Sequence, residues 1–292
     1  MASHHHIPLF LLNRWASDGR VFSYHWSNGT SEMRENRRTS IQSACQFNDS
    51  GSIRRVSASS GDASDQDVFA SYVDAPAANA LDTMLRQGVS GLTADQRSAW
   101  ARLISSFGAR TPEALHPLGT ADGRNPNQLA SARGDSQFCA QSMATERLER
   151  ENPVLERTIP IKMAMELAAD PTKISAVAAM EWWLRRFEGK TLLFSDRPLL
   201  TQPRIAQPCG IVLRDPSCLI ILPVAPNTVF FATADPKIRA KARRTPKGKL
   251  VNLINEETVW RAAKYVYAPN GSMAAFIHDR LAGKAKGRWH PK

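Results

Sequence analysis

Strand-forming segments stand at both ends of this 292-residue chain, with helix-forming segments between them. That order fits an α+β domain better than a regular βαβ repeat: a mixed or antiparallel sheet is built from both ends of the chain and carries a helical insertion. At the N-terminal end, Arg20–Trp26 alternates with a strand period between turns at Asp18-Gly19 and Asn28-Gly29. At the C-terminal end, strand signals cluster over Gly210–Leu213, Cys218–Leu222 and Thr228–Ala232.

A helical middle is expected over about 67–187. Its best-marked members run from Asp67 to Gln87, ending at Gly88, and from Thr93 to Phe107, where Thr93 is placed to cap the first turn. Further helices are expected over 138–150 and 159–169, and Ile174–Phe187 begins helical before leading into a strand at Thr191–Ser195. Trp182 and Trp183 read as core. The segment 34–65 is polar and reads as irregular, with one short strand at Ser52–Ala58, and 119–134, rich in Gly and Asn, reads as a mobile connection. Leu250–Lys264 and Met273–Leu281 are the last helices, with Tyr265–Tyr267 extended between them. A chain of this length buries a large core, and one domain over 1–292 is expected, closing in a basic tail from about 282.

The longest apolar run, Cys218–Ala225, is far shorter than the roughly 20 residues needed to span a bilayer. No basic segment followed by an apolar stretch and a small-residue cleavage site opens the chain, so a soluble, cytoplasmic protein with no membrane partner is expected. The four cysteines are scattered and lack zinc-site spacing, which leaves them as small core residues or free thiols.

The formal charge of +11 is concentrated. Lys237–Lys249 carries seven basic residues and Arg280–Lys292 carries five, neither segment contains an acid, and setting these twelve against +11 leaves the rest of the chain at −1. Such clusters attract phosphate backbones, although a solvated loop and a frayed tail explain them equally well. The first is read as a basic loop interrupting the sheet region, with Lys241, Arg243 and Arg244 as candidate ligand-binding residues.

No phosphate-binding loop, zinc-protease helix, nucleophile elbow or dinucleotide fingerprint is present. Gly189-Lys190-Thr191 mimics the end of a phosphate-binding loop, but it lacks the first glycine and precedes a strand instead of opening a helix. Three positions remain as chemistry-bearing candidates. His4, His5 and His6 stand just before Pro8, which opens a short buried helix over about 8–16 and places the imidazoles near its positive end. That suits an anion, a proton transfer or a metal, whereas a tag remnant or a surface cluster is the plain alternative. Ser195-Asp196-Arg197-Pro198 follows an apolar strand, and Asp196 there can hold a histidine tautomer, bind a metal, or cap the turn. Arg110, in Arg110-Thr111-Pro112, can clamp a phosphate or serve in a salt bridge.

Taken in order, these elements resemble a family of proteins catalogued as domain of unknown function 4238. The family opens with His-x-x-Pro-x-Phe-x-Leu followed by a turn and a strand, matching His5 to Leu12 and Val21 to Tyr24. An Arg-Thr-Pro element matches Arg110–Pro112, and Ser-Asp-x-Pro after a strand matches Ser195–Pro198. A proline-containing strand matches Ile220–Pro226, and an asparagine in the last helical region matches Asn252. The chain departs from the family at Leu9, where a polar residue is common, and at Arg197, where a small or polar one is usual. The resemblance implies no established activity, cofactor or catalytic residue.

From the residues themselves, the expected function is nucleic-acid association, with phosphates attracted by Lys237–Lys249 and the C-terminal tail. Any chemistry is expected to be phosphodiester hydrolysis, with His5 as base or metal ligand, Asp196 orienting it or binding the metal, Arg110 stabilising phosphate charge, and Ser195 in the same site. The alternative is a non-catalytic small-ligand or protein-interaction module, in which these polar residues form a structural network. Cofactor, metal and oligomeric state are not assigned.

Overall fold

The runs Leu219–Ala225 (β6) and Thr228–Thr233 (β7) are buried along almost their whole length because both faces of the sheet they build are covered. In the computed structural model, which describes residues 7–25, 34–40, 70–107, 169–202 and 218–285, these strands pair antiparallel around the turn Pro226-Asn227. Pro223 cannot donate to a ladder, and the pairing shifts register just after it. With β3 (Glu181–Arg186) and β5 (Leu200–Gln202) they form a four-stranded sheet in the order β3-β7-β6-β5.

The second sheet has the order β2-β1-β8-β4 and joins the two ends of the chain: β1 (Arg20–His25) pairs with β2 (Arg34–Ser40) on one side and with β8 (Tyr265–Ala268) on the other, and β8 pairs with β4 (Phe194–Ser195). All these pairings are antiparallel and the fold is α+β: the second sheet is built from both ends of the chain, whereas the first is made of strands within 181–233 alone. The turn before β1 is built by Asp18 and Gly19, both at positive φ (52° and 68°), with Ser17 and Arg20 exchanging backbone hydrogen bonds of 2.8 and 3.0 Å. Two consecutive positive-φ residues twist in the same sense as the strands, which is why Asp-Gly suits the position.

Helix α1 (Leu9–Leu12) continues as a 3-10 turn to Trp15. A π-helical turn, Ala70–Asp74, leads into α2 (Ala75–Gln87), which ends at Gly88 with φ 80°. Helix α3 (Ala94–Ser106) opens with a reciprocal cap: the Gln96 N–H donates to Thr93 Oγ1 at 3.2 Å, and the Thr93 N–H donates to Gln96 Oε1 at 3.1 Å. Helix α4 (Pro171–Ala179) is capped by Asp170, which accepts from the Thr172 and Lys173 N–H groups. These helices and α1 cover one face of the β3-β7-β6-β5 sheet and share its largest core, centred on Trp100, Trp182 and Phe230. The other face, carrying Trp183 and Phe231, packs on α5 (Pro236–Arg244) and α6 (Lys247–Arg261). A third core lies between the second sheet, the end of α6 and α7 (Ala274–Ala285).

Strand β3 ties these layers together. Successive side chains point to opposite faces, so Arg185 donates to the Ala242 and Thr245 carbonyls at the end of α5 (both 2.8 Å), while Arg186 donates to the Leu85 carbonyl in the last turn of α2 (2.9 Å). A guanidinium at a helix C-terminus satisfies orphan carbonyls and complements the helix dipole. Arg97 does the same for α4, donating to the Ala178 and Met180 carbonyls at 2.7 Å while stacked 4.0 Å above the Trp182 ring.

Three sequence expectations need correction. Residues 34–40, read as irregular, form β2, and the second half of 174–187, placed in the helical middle and read as leading into a strand at Thr191–Ser195, is itself a strand, β3, whose tryptophans are buried on opposite faces. The basic loop is two helices: Asp235 caps α5 by accepting from the Lys237 N–H at 2.7 Å, Pro236 starts it, and Ile238 and Ala242 turn into the core. The strands expected at 52–58 and 210–213, the connection at 119–134 and the helices expected at 138–150 and, except for its last residue, 159–169 lie outside the described residues.

Candidate functional site

The segment from Thr191 to Gln202 passes from one sheet to the other: β4 belongs to the second sheet, β5 to the first, and Asp196-Arg197-Pro198 makes the crossing. A proline at this point stops the β4 ladder and fixes the change of direction. Four side chains hold the segment, three of them from elsewhere in the chain. The Trp15 indole N–H donates to the Leu192 carbonyl at 2.8 Å, and its ring packs on Phe194 with centroids 4.6 Å apart. Asn255, 2% exposed on α6, accepts from the Leu193 N–H at 2.9 Å and donates to the Thr191 carbonyl at 2.8 Å, standing in for a strand partner. Arg261 donates to the Thr201 carbonyl at 3.0 Å while its Nε faces Glu257 at 3.3 Å.

The fourth is Asp196 itself, 3% exposed. Its Oδ1 accepts from the Ala263 N–H at 2.8 Å, and its Oδ2 accepts from the Lys264 and Tyr265 N–H groups at 2.6 and 3.0 Å. Three successive backbone N–H groups converging on one anion form a nest of the kind that elsewhere binds phosphate; here the carboxylate of the chain occupies it and fixes the turn between α6 and β8. The Asp196 N–H donates to the Tyr265 carbonyl at 3.2 Å, closing the same junction. Ser195, fully buried, accepts from the Arg197 N–H at 3.2 Å. Burial and the neighbouring Arg261 push the Arg197 guanidinium below its ordinary pKa. Among the described residues no group of three or more His, Cys, Asp or Glu side chains is placed to hold a metal ion.

The basic residues stand elsewhere, on the α5–α6 corner. Lys237, Lys241, Arg243, Arg244, Lys247 and Lys249 are exposed, whereas the seventh cation, Arg239, is ion-paired with Glu181 of β3. The corner is joined by Thr245-Pro246, and Thr245 Oγ1 donates to the Lys241 carbonyl at 2.8 Å.

A family model described as a protein of unknown function, DUF4238, matches residues 3–272. The chain belongs to the DUF4238 family. Neither the curated proteins nor the solved structures contain a match to it.

Of the candidate residues in this DUF4238 protein, Ser195 and Asp196 lie together at the crossing, and Lys241, Arg243 and Arg244 lie together on α5. His5 and Arg110 lie outside the described residues, as does the chain beyond 285. Arg280, the first cation of the basic segment 280–292, lies on α7 and is ion-paired with Glu256 and Asp279. The asparagine that holds the crossing is Asn255, whereas Asn252 is exposed. The helical spacing of Val251, Asn255 and Thr258 places Asn255 on the buried stripe of α6, a signal readable from sequence. Trp15 was legible as an apolar anchor, but its N–H bond to Leu192 was not. Among the described residues no helix is long and apolar enough to cross a membrane.

Proposed function

We propose that this protein associates with nucleic acid through its basic surface and that the Ser195-Asp196 element is structural. The observation that supports the association is the placement of charge: the basic residues of 237–249 lie on an ordered helical corner, and six of the seven are exposed. Cations held on one surface attract a polyanion and release its counterions on binding. Asp196 argues for the non-catalytic reading. A general base or metal ligand needs a lone pair directed at substrate or ion, and this carboxylate is buried with three backbone N–H groups on it.

The test is a binding titration of the purified full chain against a mixed-sequence oligonucleotide across 50 to 200 mM salt. With six phosphate contacts the affinity should fall by about a thousandfold over that range. No binding at 50 mM salt overturns the association. Incubation of the same oligonucleotide with magnesium, manganese or zinc should leave it intact. Cleavage that disappears in a folded Asp196→Asn chain overturns the structural assignment and restores hydrolysis at His5, Arg110 and Asp196.

A further inference from the structure

The α5–α6 corner is specific about what it offers. Lys237, Lys241 and Arg244 recur at i, i+4 and i+7, which makes one stripe along α5 separate from the partly buried Ile238 and the buried Ala242. Seven residues of helix rise about 10 Å, enough to follow roughly three phosphates of one strand at about 3.4 Å of duplex axis per step. Lys247 and Lys249 continue the cationic surface onto the first turn of α6, where no acidic residue offsets them. The backbone beneath is held in place. Arg185 grips the Ala242 and Thr245 carbonyls, Arg239 pairs with Glu181, and Leu250 and Val251 anchor α6 in the core.

Among the described residues no aromatic side chain is exposed on this surface. Trp183 lies beneath Arg243, whose guanidinium is 5.8 Å from its ring centroid, but it is 6% exposed and stacked on Phe231 with centroids 5.2 Å apart and planes tilted by only 7°. Leu253 is the one exposed large apolar side chain of the two helices. Single-stranded nucleic acid is held largely by stacking of its bases on aromatic rings, each worth about 1–3 kcal/mol. The described residues of this surface offer cations and no exposed ring on which an unstacked base could stack.

We infer that the α5–α6 corner grips the sugar-phosphate backbone of a double-stranded nucleic acid, through phosphates alone and without reading sequence. This rests on the association proposed above and adds the surface, the strand state and the lack of base readout. The full chain would be titrated by fluorescence anisotropy with two 20-base-pair duplexes of unrelated sequence and with one of their single strands. The two duplexes should bind within about twofold of each other and the single strand at least several-fold more weakly. Lys241→Gln/Arg244→Gln/Lys247→Gln should lower the slope of log affinity against log salt by nearly three, at about 0.9 per lost contact, with an unchanged thermal midpoint. Lys237→Gln/Lys249→Gln, with a drop of nearly two, provides an independent check. A single strand bound as tightly as the duplex, a strong preference between the duplexes, or unchanged slopes in both variants overturns the inference. If the slope falls instead in Lys284→Gln/Lys286→Gln/Arg288→Gln, the association stands and the corner is the wrong surface. Failure of the unsubstituted chain to bind at low salt removes the association itself.

Discussion

The crossing at Asp196 and the corner at Lys241 are both rich in charge, and the chain uses that charge in opposite ways. At the crossing the carboxylate is turned inward and satisfied by the N–H groups of residues 263–265. At the corner six cations are left facing solvent on helices whose backbone is fixed from below. A buried anion whose partners are backbone groups fixes geometry, because leaving those partners unsatisfied is costly. A cluster of exposed like charges adds little to stability, so its energetic consequence is felt when a partner of opposite charge arrives.

Substitutions separate the two uses, and the largest effect is expected at the crossing. Asp196→Ala strands three N–H groups and should destabilise the protein by about 4 kcal/mol, since each buried unsatisfied group costs about 1–3 kcal/mol; a shift of denaturation midpoint much smaller than this would place the carboxylate outside the framework. Asn255→Ala leaves the Leu193 N–H and the Thr191 carbonyl without their partner, and equilibrium unfolding should report a loss of about 2–3 kcal/mol. At the corner, Lys241→Gln/Arg244→Gln/Lys247→Gln should change stability by less than about 0.5 kcal/mol while weakening duplex binding by about tenfold or more at 100 mM salt. Unfolding of the corner variant, or an Asp196 variant that unfolds no more readily than its parent, would show that the two regions do not divide structure and surface charge in this way.

The smallest effect concerns a charge whose role lies between these two, the Asp170 cap of α4. Burial acts to raise its pKa, but the N–H groups of Lys173 and Thr172 and the charge of Lys173 outweigh it, so the carboxyl titrates below its ordinary value. A carboxyl depressed in the folded state contributes stability above its unfolded pKa and loses it as pH falls through the folded one. Asp170→Ala should therefore cost about 1 kcal/mol near neutrality. The gap between the variant and its parent should close as the pH of the denaturation series is taken from about 6 to about 2.

Local signals in the sequence carried much of the described fold. Thr93 and Gln96 announce a helix start, Asp18-Gly19 a turn, and the apolar runs of β6 and β7 a buried sheet. Strand β3 was obscured because both of its faces are covered: Trp182, Trp183 and Leu184 are consecutive and apolar, so the alternation that marks a strand is absent. Strand β2 was hidden for the opposite reason, being a polar sequence on a sheet edge, where charged residues are favoured. The helices of the corner were masked by their charge, since only Ile238 and Ala242 mark the apolar side of α5.

At the site, Ser195 and Asp196 were recognisable as an element, and a turn cap was one of the roles open to Asp196. The N–H groups that it binds lie 67 to 69 residues further along the chain, at the end of an element whose docking no local pattern specifies. Asn255 likewise lies 62 to 64 residues from the segment it holds. Both contacts arise only when the two sheets are assembled.

The division between a structural crossing and a binding corner is tested most directly by the salt dependence of duplex affinity in three full-length chains: the parent, Asp196→Asn and Lys241→Gln/Arg244→Gln/Lys247→Gln. The slope should be the same for the parent and for Asp196→Asn, measured below its denaturation midpoint, and smaller by nearly three for the corner variant. A slope that falls in Asp196→Asn and holds in the corner variant would contradict that division.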